Sequence, residues 1–217
     1  MNCSLNEVDA LCRKAARGAG YSWGLAEDAG KAARWLHAND LPGATCLAHL
    51  LNATDGVAYK DLAPQPAGRL WRAAGGLLCP IATGCALNDC AHRLAQDDSI
   101  TLGPMRIAIL LLPFAAAIAT QTGRAVGLSQ SDLRIVTDGT SLWVDGDRRV
   151  LLAPRTADCV VEPADIPEST ALGQNHTRAQ LSPETYDRLA ALAQRTYAPA
   201  TEASRTAGAG AGLTDND

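Results

Sequence analysis

Aromatic residues are scarce in this chain: they are 4% of its 217 residues, with one phenylalanine, Phe114. A core with so few large rings has to be aliphatic and built from small residues, with backbones packed closely. A cationic excess is also missing. The net charge is -4 at pH 7, which argues against a general nucleic-acid binder, since that role needs a broad basic surface. Long apolar runs are absent too. The longest, Ile107 to Ala119, is broken by Pro113 and falls short of the roughly 20 residues a bilayer span requires. No CxxC occurs among the seven cysteines at positions 3, 12, 46, 79, 85, 90 and 159. Their odd number, and an acidic start without a basic leader, read as reduced thiols in a cytoplasmic protein. There is no GxxxxGK[ST], no GxSxG and no HxxxH, so nothing marks a phosphate loop, a nucleophile elbow or a zincin helix. We expect neither a nucleotide cofactor nor a bound metal.

What is present is hydrophobic content of 47%, enough for a globular core. It also has a dense basic block from Arg13 to Trp35. Ser4-Leu-Asn-Glu7 is a capping box opening a helix whose inner face carries Leu5, Val8, Leu11, Cys12, Ala15 and Ala16. Gly18 and Gly20 end it. Ser22 caps a second helix, with Glu27 and Asp28 early and Lys31 and Arg34 late, an order that suits the helix dipole. Glu27 and Lys31 are spaced as an i,i+4 pair. After Pro42-Gly43 a third helix runs from about Ala44 to Leu51. Residues 54–68 read as an irregular connection.

Further along, Ala86 to Gln96 reads as a helix, and Ile100–Leu102 and Arg106–Leu112 as strands. Pro113 opens a helix to about Thr122. Short β runs follow at Val126–Leu128, Leu133–Val136, Ser141–Val144, Val150–Leu152 and Cys159–Glu162, with turn signals at Asp138-Gly139 and Asp145-Gly146. Residues 163–180 read as an excursion loop. Ser182-Pro183-Glu184 starts a helix to about Tyr197, and the remainder is a Gly/Ala-alternating tail. The class is α+β: an N-terminal helical hairpin, a central antiparallel or mixed sheet with short hairpins, a C-terminal helix and a glycine-rich tail. The expected organisation is one domain over 1–217, helical over 1–53, α+β over 69–162, a loop over 163–180, and the closing helix and tail over 181–217.

Three groups of residues could carry function. In the hairpin, Arg17 and Lys31 can hold a carboxylate or phosphate beside the glycine turn, with Lys14 and Glu27 as candidates for proton transfer. The bland alternative is a pair of solvated helix faces. In the tail, Ser204, Arg205, Gly208 and Gly210 can wrap a ligand closely, and the bland alternative is a disordered end. In Cys79-Pro-Ile-Ala-Thr-Gly-Cys85…Cys90-Ala-His92, Cys85 is the thiol nearest a helix start, but the spacing matches no usual zinc site, and buried structural cysteine is the competing reading.

Two stretches resemble a proteobacterial family of unknown function, over the whole chain. They are Cys12-Arg-Lys-Ala-Ala-Arg-Gly-Ala-Gly20…Trp23-Gly-Leu-Ala-Glu-Asp-Ala-Gly-Lys-Ala-Ala-Arg-Trp-Leu36 and Ser204-Arg205…Gly208-Ala-Gly-Ala-Gly212-Leu-Thr-Asp-Asn-Asp217. The resemblance implies a tail that is ordered and used, and it implies no activity. The expected function is binding or cofactor-independent transformation of a small anionic metabolite. The alternative is a non-catalytic subunit, a homo-oligomer or partner-binding protein, whose cationic hairpin docks an acidic tail. Neither nucleic acid nor a membrane is expected as a partner.

Overall fold

The computed structural model describes residues 1–96, 98–172 and 176–197. The N-terminal hairpin forms as its caps dictate. Helix α1 (Leu5–Gly18) is closed by the reciprocal box: Glu7 N–H donates to Ser4 Oγ at 3.2 Å and Ser4 N–H to Glu7 Oε2 at 2.6 Å. Helix α2 (Trp23–Ala38) starts at Ser22, which accepts from Leu25 N–H. Helix α3 is Gly43–Thr54. The paucity of rings shows in how these helices meet. A Cβ at Gly30 of α2 would lie 2.6 Å from Asp9 Oδ1 of α1, and one at Gly43 would run into the Ala33 carbonyl and lie 2.9 Å from Ala33 Cα. Backbones approach at glycine and alanine, and Ala15, Ala16, Ala26, Ala29, Ala32 and Ala33 are buried in between.

The larger sheet has seven strands in the order β2-β3-β4-β8-β5-β6-β7. These are β2 (Pro64–Ala67), β3 (Leu70–Ala73), β4 (Ile100–Leu102), β5 (Val126–Gln130), β6 (Leu133–Thr137), β7 (Leu142–Asp145) and β8 (Cys159–Pro163). Every neighbouring pair is antiparallel except β3 and β4, which run parallel. Helix α7 (Leu112–Thr122) packs on β5 and β6, and α6 (Ala91–Ala95) packs on β8. Helix α5 (Pro80–Asp89) links this layer to α2. The one phenyl ring, Phe114 of α7, lies flat on Gly84 of α5, where a Cβ would overlap it. Asn2–Ser4 (β1) pairs antiparallel with Arg178–Gln180 (β9) as a separate ribbon. Helix α8 (Pro183–Gln194) then covers the face of α1 away from the sheet-side helices, and α1 also contacts α3. The fold is α+β, with the N-terminal helices where the capping pattern placed them.

Several local expectations are corrected. The apolar stretch at 106–112 is not a strand. Ile107 turns through φ 43°, and Ala108–Leu111 form a 3-10 helix leading into α7. A short fully apolar run carries no period that separates a buried strand from a buried helix. Val150–Leu152 is likewise part of a 3-10 helix, Arg148–Leu152, capped by Asp147. The connection at 54–68 holds a helical turn, α4 (Tyr59–Leu62), and the edge strand β2, where Pro64 and Pro66 are tolerated because an edge needs fewer ladder donors. Part of 163–180 is β9. The helix read from Ala86 starts earlier, at Pro80, and breaks at Cys90.

His37 gives the fold a pH dependence. Its Nε2 accepts the backbone N–H of Ala44 at 3.1 Å, so a neutral ring caps the first turn of α3. Burial lowers its pKa from 6.5, and Asp40 opposes the shift. A lowered folded-state value means the unfolded chain takes up the proton first. The stability contributed by neutral His37 is present above pH 6.5 and is lost as pH falls below it toward the folded-state pKa. We expect unfolding free energy to drop on acidification in that window. A His37→Gln variant, followed by urea denaturation across the same pH range, is expected to show a shallower slope.

Candidate functional site

The Gly18–Gly20 turn between α1 and α2 opens onto a cavity of about 500 Å³. Its walls come from the turn and the start of α2 (Ala19 to Ser22, Leu25), the end of α3 and the loop after it (Thr54, Gly56, Val57), α4 (Tyr59, Leu62) and the start of α5 (Cys79, Ala82). Gly20 and Gly56 both take left-handed backbones, φ 94° and 73°. That conformation is open to glycine and strained for other residues, and both chain reversals at the cavity wall depend on it.

The floor is a directed hydrogen-bond chain. Thr54 Oγ1 donates to Leu50 O at 2.9 Å. Having given away its one proton, it must accept the Tyr21 hydroxyl, 3.2 Å away. Tyr21 Oη is then free to accept the thiol of Cys79 at 3.3 Å. Cys79 is the N-cap of α5, and its sulfur faces the backbone N–H groups of Ala82 and Ile81. Cys79 is fully buried, Thr54 1% exposed and Tyr21 7% exposed. Burial pushes the Cys79 thiol up, against the pull of those N–H groups and the charge of Arg106. Burial, with Cys79 adding to it, likewise raises the Tyr21 phenol. Both groups are held protonated, as a satisfied polar base under an otherwise largely apolar cavity.

Charge around the cavity is one-sided. Among the described residues no acidic side chain lines it. Arg106, whose field reaches both Tyr21 and Cys79, has a buried Nε with no acceptor. Arg17 sits at the turn: its NH1 donates to Tyr21 O at 2.7 Å, and its guanidinium lies 4.9 Å from the centre of the Trp23 ring. Asp55, next to the wall residue Gly56, is taken up by a bidentate pair with Arg195 at 2.8 and 2.9 Å. Trp23, Tyr59 and Val57, at 66%, 58% and 41% exposure, stand uncovered around the turn and the outer wall.

Of the sequence-derived candidates, Cys79 lines this cavity, and Arg17 reaches its edge through the bond to the wall residue Tyr21 without lining it. Lys14 belongs to a different groove between α1 and α8, where its Nζ meets Tyr197 Oη at 3.0 Å and lies over that ring. Lys31 is on the exposed face of α2 and pairs with Asp28 at 3.7 Å rather than with Glu27. Glu27 is exposed on the same helix. Lys14, Glu27 and Lys31 neither line the cavity nor bond to a wall residue. Ser204, Arg205, Gly208 and Gly210 lie outside the described residues. Tyr21 and Thr54 were not singled out from sequence, and the only signals that pointed at the site were the glycine turn and Cys79-Pro80.

Thiol chemistry does not gather at the cysteine cluster. Cys85 lies inside α5, not before it, and donates to Asp28 Oδ2 at 3.2 Å. Burial, that bond and the Asp28 charge push its thiol up. Among the described residues, no three His, Cys, Asp or Glu side chains are placed to share a metal ion. Also among them, no helix is long and apolar enough to cross a membrane.

No curated protein matches the chain. Its N-terminal part does match a family model, and the matched stretch takes in every wall residue of the cavity except Ala82. Residues 3–79 match the family described as protein of unknown function (DUF3726), a domain of an uncharacterised family.

Proposed function

We propose that the chain binds a small monocarboxylate with an apolar body, without a nucleotide cofactor, in the cavity beside the α1–α2 turn. The observation that carries this reading is the combination of an apolar cavity free of acids and a guanidinium pinned at its edge. Arg17 uses one N–H on Tyr21 O and keeps other donors for a carboxylate, and its stacking on Trp23 limits the entropy lost on binding. The floor favours the apolar end of the ligand. Its donors are already committed within the Cys79–Tyr21–Thr54 chain, and a carboxylate there would face acceptors.

The test is a thermal-shift comparison of hexanoate, benzoate and phenylacetate with their alcohol counterparts, since a ligand that binds the native state raises Tm by mass action. The carboxylates are expected to stabilise more than the alcohols. In Arg17→Met that preference is expected to vanish, a loss of about tenfold or more in affinity for a charge-assisted bond. Equal preference in the variant would remove Arg17 from the site.

A second reading has its own observation. Exposed Trp23, Tyr59 and Val57 around the turn and outer wall suit a protein partner that seats an apolar side chain in the cavity. In that case small carboxylates leave Tm unchanged, while Trp23→Ala weakens association with the partner. Lys14 and Glu27, proposed from sequence for proton transfer, have no part in either reading.

A further inference from the structure

A second cavity, with no wall residue in common with the first, lies where the chain leaves the parallel strand pair β3–β4. Strand β3 ends at Ala73 and β4 at Leu102, and because the two run parallel their carboxyl ends lie side by side. The pocket there has a volume of about 270 Å³ and is formed by Arg72, Ala73, Gly76, Gly103, Pro104 and Arg155. The space outside the carboxyl ends of neighbouring parallel strands is where α/β sheets commonly take their ligands, since the chain diverges there and leaves a crevice.

Two glycines shape it. A Cβ at Gly103 would come 2.9 Å from Arg72 Cγ, so the bare backbone lets the arginine stem lie across it. Gly76 turns the chain at φ 81° with open space where a side chain would stand. Two arginines, Arg72 and Arg155, line the pocket, and Arg72 NH2 meets Asp158 Oδ2 at 3.3 Å, a long contact that uses one of its donors. Arg155 is exposed and has no acceptor among the described residues. Two arginines bordering one small space offer an anion more donors than Asp158 takes up. Guanidinium forks match the oxygens of a tetrahedral oxoanion.

We infer that Arg72 and Arg155 form a binding site for a tetrahedral oxoanion, of the phosphate or sulfate type, at the carboxyl ends of β3 and β4. The site is independent of the carboxylate cavity and shares none of its wall residues.

The experiment is calorimetric titration of the full chain with inorganic phosphate, at ionic strength held constant with chloride. Saturable binding is expected, weakened about tenfold or more in Arg155→Ala, which removes an exposed side chain. Arg72→Lys keeps the charge and loses the fork, and is expected to fall between wild type and Arg155→Ala. Arg17→Met is expected to bind phosphate as wild type does. No saturable heat beyond the chloride control overturns the inference, as does unchanged affinity in Arg155→Ala. Loss of phosphate binding in Arg17→Met alone would place the anion at the other cavity and overturn it equally.

Discussion

Replacing Gly18 by alanine is expected to cost about 3 kcal/mol or more, at the upper end for overpacking a closed contact. Tm is then expected to fall by roughly 6–12 °C for a chain of this size. Gly18 closes α1, and the position of its missing Cβ is already taken by the carbonyl group of Leu192 in α8. A flexible side chain can step aside, but a helix carbonyl moves only if its helix moves. Alanine would therefore push α8 off the face of α1, and with it the Arg195–Asp55 pair that holds the loop beside the cavity. Gly20→Ala two residues on is the matched control: it meets nothing within 4 Å and carries only the strain of φ 94°. Urea denaturation of both variants separates the two effects. A Gly18→Ala variant no less stable than Gly20→Ala would mean that α1 and α8 do not meet as closely as described.

The second large effect is expected from filling the carboxylate cavity. Ala82 lies in the first turn of α5, is 2% exposed, and forms part of the cavity wall. Ala82→Phe would extend a ring into a space of about 500 Å³ without touching Arg17 or the exposed Trp23. Carboxylate binding is expected to weaken by about a hundredfold, equivalent to about 2.7 kcal/mol. Fold stability is expected to hold or rise, because the added ring buries apolar area in an existing void instead of a packed core. An undiminished thermal shift with benzoate would sink the proposal for this cavity. Arg17→Met removes the charge and Ala82→Phe removes the room. Together they separate a ligand held by its carboxylate from one held by its apolar body.

Much of the fold was legible where structure is local. The Ser4–Glu7 box, Ser22 and the Ser182-Pro183-Glu184 start each placed a helix within a few residues, because a cap is a bond between neighbours in sequence. The Asp138-Gly139 turn placed the β6–β7 hairpin for the same reason: Asp138 accepts from Thr140 and Ser141 N–H at 2.8 and 2.7 Å. What was missed depends on distant partners. Arg178–Gln180 is a strand only because Asn2–Ser4 runs beside it, and Pro64–Ala67 only because Leu70–Ala73 does. Starting the helix at Ala86 instead of Pro80, although proline in the first turn is how a helix can begin, put Cys85 in place of Cys79 at the helix start. The cavity floor joins positions 21, 54 and 79, none of which has a local motif. Arg17 was legible as a cation at a glycine turn, but its fixing by the Tyr21 carbonyl and the Trp23 ring was not.

The pairing of β1 with β9, and of α1 with α8, has a consequence for the order in which the chain is made. Residues 2–18 leave the ribosome well before 178–194, where the strand and helix that cover them lie. At about 5–20 residues per second, the apolar side of α1 waits on the order of ten seconds or more for its cover. During that interval Leu5, Val8 and Cys12 have only α2 and α3 to shield them. Contacts of such wide sequence separation also form late in refolding. Helix α1 is thus made long before its cover and sealed late, and until then the nascent chain is exposed to aggregation in the stretch that matches the uncharacterised family.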